Sequence, residues 1–91
     1  MRIELTKRFR QEVRALSKSR RREIAHVLDR LHGAFGKPHL HSGLGVRRLR
    51  RDYFECRAGL HLRMIFRAQR GMLQFVTLGN HEHVRAFLKS V

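Results

Sequence analysis

The stretch spanning residues 49–84 constrains this chain more than any other. It holds three short runs with a period of two, separated by polar turns. In Tyr53–Ala58, Phe54, Cys56 and Ala58 alternate with Tyr53, Glu55 and Arg57. Across 60–67, Leu60, Leu62, Met64 and Phe66 alternate with His61, Arg63, Ile65 and Arg67. In a strand, alternate residues face opposite ways, so each run reads as one apolar and one polar face. The third run, 72–78, is apolar on both faces, as suits an interior strand. Ala58-Gly59 and Gln69-Arg70-Gly71 mark the turns. Strands joined this tightly form an antiparallel meander with a shared polar face. Gly79 stops the last strand, Asn80 can cap, and His81–Lys89 reads as a helix with Val84, Phe87 and Leu88 inward.

The N-terminal half supplies what covers that meander. Arg2–Leu5 alternates as a short first strand. Thr6 is positioned to cap a helix in which Phe9, Val13 and Leu16 recur at helical spacing. Ser17-Lys18-Ser19 breaks it. A second helix is expected after Ser19, with Ile24, Val27, Leu28, Leu31 and Phe35 on its apolar face and Gly36 at its end. Arg20, Arg21 and Arg22 crowd its first turn, where positive charge opposes the helix dipole. Residues 36–45 form a loop with three glycines and with His39 and His41 beside Lys37. Residues 46–51, Val-Arg-Arg-Leu-Arg-Arg, suit an edge strand, since charge there discourages aggregation. The expected fold class is α+β: an N-terminal strand and helical hairpin packed on a small antiparallel sheet, with a C-terminal helix. No repeat or linker divides the chain, so 1–91 is read as one domain.

Charge narrows the partners. The 91 residues include 21 Lys and Arg against 7 Asp and Glu, a formal charge of +14. Self-repulsion on this scale suits a polyanion or an acidic protein as partner. Arginine predominates over lysine, and its fork grips two phosphate oxygens at once. No apolar run approaches the roughly 18 residues of a membrane span, and the first residues lack a signal-peptide pattern. A cytoplasmic protein that does not engage membrane is expected. A single cysteine, Cys56, excludes an intrachain disulfide and a cysteine zinc cage.

Two constellations carry chemistry. Glu55, Arg57, His61 and Arg63 fall on the polar face of two adjoining strands, where two guanidinium groups suit the extra charge of a pentacoordinate phosphate. The plainer reading is a solvated face with a Glu55–Arg ion pair. Gly79-Asn80-His81-Glu82-His83 lies at a strand-to-helix junction, whose unpaired N–H groups and dipole attract anions. His81 there is a general acid or base candidate, against the plainer reading of a hydrogen-bonded cap histidine. The pairs His39/His41 and His81/His83 offer four imidazoles to a metal, but residues i and i+2 of a helix diverge. No metal or other cofactor is expected. Cys56 points to the core, no carboxylate pair suits a metal nuclease, and no phosphate-binding glycine fingerprint occurs. RNA can be cut without carboxylates, because its 2′-hydroxyl is an internal nucleophile. Histidine and arginine can deprotonate it, stabilise the phosphorane and protonate the leaving oxygen.

On these residues the chain resembles the RelE/ParE superfamily of bacterial toxins from type II toxin–antitoxin systems. The resemblance rests on the element order and on Leu49-x-x-Asp52-Tyr53-Phe54-Glu55-x-Arg57-x-Gly59-x-x-x-Arg63-x-Ile65-Phe66, followed by Gly79-Asn80-His81. It implies a RelE-like fold and, in the RelE-like branch, cleavage of messenger RNA on the ribosome under the control of an acidic cognate antitoxin. Arg63 matches the family's phosphate-binding arginine, and Arg57 a basic or histidine position on the preceding strand. His81 matches the catalytic histidine of a Gly-x-His motif in YafQ-like members, and His41 a loop histidine of that subgroup. One departure is that several RelE-like toxins carry a C-terminal tyrosine. Here the only tyrosine is Tyr53, and Phe87 is the nearest C-terminal aromatic. The expected catalytic set is therefore His81, Arg63, Arg57 and His61. The expected RNA contacts are Arg47, Arg48, Arg50, Arg51, His41, Lys37 and Phe87. Two rival readings stay open: a ParE-like inhibitor that poisons DNA gyrase without cleaving anything, and a basic RNA-binding module without catalysis.

Overall fold

A computed structural model describes residues 1–35 and 43–91. The elements are β1 (Arg2–Leu5), α1 (Lys7–Arg14), α2 (Lys18–Ala34), β2 (Arg47–Arg50), β3 (Tyr53–Ala58), β4 (Leu62–Gln69), β5 (Met72–Gly79) and α3 (His81–Lys89). They form one sheet in the order β1-β5-β4-β3-β2, covered by α1 and α2 on one face and by α3 on the other. The expected α+β class and the antiparallel meander of β2 to β5 are both present. The sheet as a whole is mixed, because β1 pairs parallel with β5, from Arg2 opposite Met72 to Leu5 opposite Phe75. β2 is one of the two edge strands, as its arginines suggested, and β1 is the other.

Local chemistry sets the helix boundaries. The Phe9 N–H donates to the Thr6 hydroxyl at 3.1 Å, starting α1. The Arg20 N–H donates to the Ser17 hydroxyl at 3.2 Å, so Ser17 caps α2 and the helix begins at Lys18, earlier than expected. The His83 N–H donates to Asn80 Oδ1 at 2.9 Å, and α3 starts where the sequence placed it. Each such cap satisfies an end-group N–H that the helix cannot, for about 1 kcal/mol. The end of α2 is Ala34, with Phe35 as its C-cap. The expected stop at Gly36 and the loop residues Lys37, His39 and His41 lie outside the described residues.

The core lies between the sheet and the helical pair. Phe9, Ile24, Val27, Leu31, Met64, Phe66, Leu73 and Phe75 are buried there. Each such side chain contributes roughly 1.5–3 kcal/mol. Rings run from α1 across the sheet: Phe9 to Phe75 at 5.5 Å, Phe75 to Phe66 at 5.0 Å, and Phe66 to Phe54 at 5.6 Å. Cys56 is fully buried in this layer, and burial, with the nearby Glu55 carboxylate, pushes its thiol up to about 12. It is no nucleophile, as its place in the alternation implied.

One irregularity redirects the side chains at the end of β5. β4 pairs Ile65 with Thr77 but Phe66 with Phe75, so Val76 is an extra residue in β5. The bulge reverses the alternation beyond it. Leu78 joins the helical core, and Thr77 turns to the α3 side. Among the described residues no helix is long and apolar enough to cross a membrane.

Candidate active site

The strand alternation and the α3 N-terminus bring three of the four expected catalytic residues to one cleft. A depression of about 270 Å³ is lined by Leu60, His61, Arg63, Asn80, His81 and Glu82. Arg63 enters from β4, directly opposite Gly79 of β5, so the strand-to-helix junction begins beside it. His81 is the first residue of α3 and is exposed. Arg57 lies opposite Arg63 on β3, exposed beside the cleft. Its methylene stem runs along Gly45, and its backbone N–H donates to the Leu44 carbonyl at 2.7 Å.

His61 reaches the cleft by a different route from the one expected. The sequence placed it on a strand after a two-residue turn. The connection between β3 and β4 is instead Gly59-Leu60-His61, and β4 starts at Leu62. Gly59 has φ 77, a left-handed conformation that a residue with a Cβ adopts at a cost. The longer turn carries His61 to the hairpin tip and leaves Leu60, expected on the apolar strand face, 90% exposed.

Electrostatically the cleft sets Arg63, with Arg57 beside it, against exposed Glu82 on its wall and a second acid, Glu55, behind it. Glu55 is only 1% exposed and accepts from Arg63 Nη1 at 3.2 Å and from Arg47 Nη2 at 3.0 Å. A buried carboxylate is costly unless paired, so these arginines hold it and it holds them. The ion pair of the plainer reading is therefore real. Arg63, 22% exposed, still lines the cleft, and a guanidinium has donors beyond the one given to Glu55. The side chains of Arg57, His61 and His81 have no hydrogen-bond or ion-pair partner among the described residues.

The expected RNA contacts fare differently. Arg47 is committed to Glu55. Arg48 Nε donates to the Arg51 carbonyl at 2.7 Å. Arg50 Nη1 donates to the carbonyls of Leu88 and Val91 at 3.1 and 3.0 Å, satisfying the C-terminal end of α3. Arg50 and Arg51 therefore lie at the opposite end of α3 from His81, about 13 Å away along a helix of this length. Phe87 packs edge-on against Tyr53 at 5.6 Å, also at that far end and outside the cleft. The alternation could not reveal this, because it gives the face of a residue but not its position along the sheet. Lys37 and His41 lie outside the described residues. His81 and His83 part company as their spacing implied: His81 lines the cleft, and His83 turns to Thr77. Leu60, Asn80 and Glu82 also line the cleft; Asn80 and Glu82 belong to the expected strand-to-helix constellation, whereas Leu60 had been read as part of an apolar strand face.

No protein-family model matches the chain, and neither does any curated protein. Solved structures do. The chain superposes on RelE in the archaeal RelE–RelB complex from Pyrococcus horikoshii with a TM-score of 0.71 at 19% identity, covering 87% of this chain and 92% of that one. For YafQ from E. coli the TM-score is 0.73 at 17% identity, with 92% and 98% covered. For a YoeB/ParE toxin from Agrobacterium tumefaciens it is 0.62 at 20%, with 89% and 99% covered. The fold that the motifs around Arg57, Arg63 and His81 suggested is thus the fold the chain has, that of the RelE and YafQ toxins.

Proposed function

We propose that this chain is the toxin of a toxin–antitoxin pair and acts as an endoribonuclease on messenger RNA held by the ribosome. The observation that carries the reading is the convergence of His61, His81 and Arg63 on one cleft, with Arg57 beside it. Two imidazoles and a guanidinium can together carry out the transesterification of RNA. One imidazole takes the proton of the 2′-hydroxyl, and the 2′-oxygen attacks the adjacent phosphorus. Arg63, assisted by Arg57, meets the charge that gathers on the non-bridging oxygens. The P–O5′ bond breaks, the other imidazole supplies the proton to the leaving oxygen, and a 2′,3′-cyclic phosphate remains. The nucleophile belongs to the substrate, so the residues present are sufficient without a metal.

Two features support the partners. A net charge of +14 favours docking on a large polyanion such as ribosomal RNA. For the antitoxin, a groove of about 240 Å³ between α1 and α2 has Leu5, Phe9, Val13, Ile24 and Leu28 in its floor, with Arg10, Arg14 and Arg21 around it. An apolar floor with a cationic rim fits an acidic amphipathic helix. Several structures of the same fold are toxin–antitoxin complexes, RelE with RelB and YafQ with DinJ. The test is induction in cells with mapping of new transcript ends. In-frame cuts in translated messages that vanish in His81→Ala support the reading. Growth arrest with intact messages and altered DNA supercoiling would replace it with gyrase inhibition.

A further inference from the structure

The bulge at Val76 creates a buried polar contact that joins three elements behind the cleft. Thr77 is completely buried, yet its hydroxyl meets two side chains from different elements. Glu12 of α1 lies at 2.8 and 3.0 Å, and His83 Nε2 of α3 at 2.8 Å. A carboxylate only accepts, so Thr77 donates to Glu12 and accepts from the His83 Nε2–H. Glu12 also accepts the Leu78 N–H at 3.2 Å. That donor lies on the edge of β5 beyond Phe75, where β1 no longer pairs with it. Arg8 stands 3.6 Å from the same carboxylate. The chain of contacts thus ties α1, the end of β5 that β1 leaves unpaired and the first turn of α3 together.

His83 is also wedged in place. Its ring lies so close to the Gly79 backbone that a Cβ on residue 79 would run into it. Gly79 is in turn the cross-strand partner of Arg63. Between Gly79 and His83 lie only Asn80, His81 and Glu82, all three of which line the cleft. The backbone carrying His81 is therefore pinned on both sides: by the sheet pairing at Gly79 and by the His83–Thr77 bond one half-turn later. Buried Val84 also holds this turn against the sheet, but apolar packing has no direction, and the His83–Thr77 bond adds a directional tether two residues from His81.

We propose that Glu12, Thr77 and His83 are positioning residues that set the orientation of His81 over the cleft. None of them lines the cleft, so they act through the backbone of the α3 first turn. The proposal rests on the nuclease reading for its activity arm but not for its structural arm. The test compares Thr77→Val, which keeps the shape and removes the hydroxyl, with Thr77→Ser, which keeps the hydroxyl. Cleavage of ribosome-bound message gives kcat and KM, NMR of the His81 imidazole reports its surroundings, and thermal melting reports folding. The expected result for Thr77→Val is a fall in kcat of roughly tenfold or more with KM little changed. The His81 resonances should shift or broaden while the chain stays folded, and Thr77→Ser should restore both rate and spectrum. Wild-type His81 resonances and rate in Thr77→Val would overturn the proposal. So would equal losses in the Val and Ser variants that merely follow melting temperature. If the wild type does not cleave, the nuclease reading falls, and the His81 spectra alone decide for or against the brace.

Discussion

The two ends of α3 use the same kinds of side chain for opposite purposes. At the C-terminal end, Arg50 holds the last carbonyls, Arg48 holds the turn after β2, and Arg67 donates to Asp52 at 3.0 and 3.2 Å while lying 5.3 Å over the Tyr53 ring. Every one of these cations has an acceptor in its own chain. At the N-terminal end, Arg57, His61 and His81 carry exposed side chains with no such partner among the described residues. The lesson is that arginine content alone does not mark a binding surface. What marks it is polar capacity the fold leaves unused, gathered at one place. Arg63 is the link between the two uses, since it both secures buried Glu55 and faces the cleft.

The contrast can be tested by disturbing each end in turn. The largest effect is expected from His81→Ala, which should lower cleavage by about 10²–10⁴-fold, the usual worth of a general acid or base. Its melting temperature should barely move, because the side chain is exposed and unbonded. Arg63→Ala should abolish cleavage as well, and should also cost about 1–3 kcal/mol in urea unfolding, because Glu55 keeps only Arg47. Equal stability of Arg63→Ala and wild type would show that the ion pair is not structural. Charge reversal of Arg10 and Arg14 together should slow antitoxin association about tenfold at low salt, with the difference shrinking as salt rises. Cleavage by the chain alone should be unaffected. The smallest effect belongs to Arg50→Ala. It should cost a few tenths to about 1 kcal/mol through the end of α3 and leave cleavage within a few-fold of wild type. A large loss of cleavage in Arg50→Ala would break the division between the two ends.

Much of the fold was legible in the residues. Alternation over 53–67 and the apolar run at 72–78 gave the meander, and Thr6 and Asn80 gave helix starts, because these signals are local. Arg57 opposite Arg63 followed from the same alternation once the strands paired. The parallel docking of β1 was not legible, since four alternating residues do not name their partner strand. His61 was misplaced because one more residue in a glycine turn changes what the hairpin tip presents. Thr77 was passed over for a deeper reason. The bulge at Val76 carries no glycine or proline to announce it, and uninterrupted alternation would have put Thr77 in the helical core beside Phe75. Phe87 and Arg50 looked available because a sequence shows charge and aromaticity without showing what already occupies them.

The most direct measurement is the chemistry of RNA ends produced on purified ribosomes programmed with a defined message. Wild type, His81→Ala and Arg50→Ala would be compared without added antitoxin. The account predicts cuts by wild type and Arg50→Ala that leave 2′,3′-cyclic phosphate or 3′-phosphate ends, and intact message with His81→Ala. Intact message with wild-type protein, or cuts that persist in His81→Ala, would contradict it.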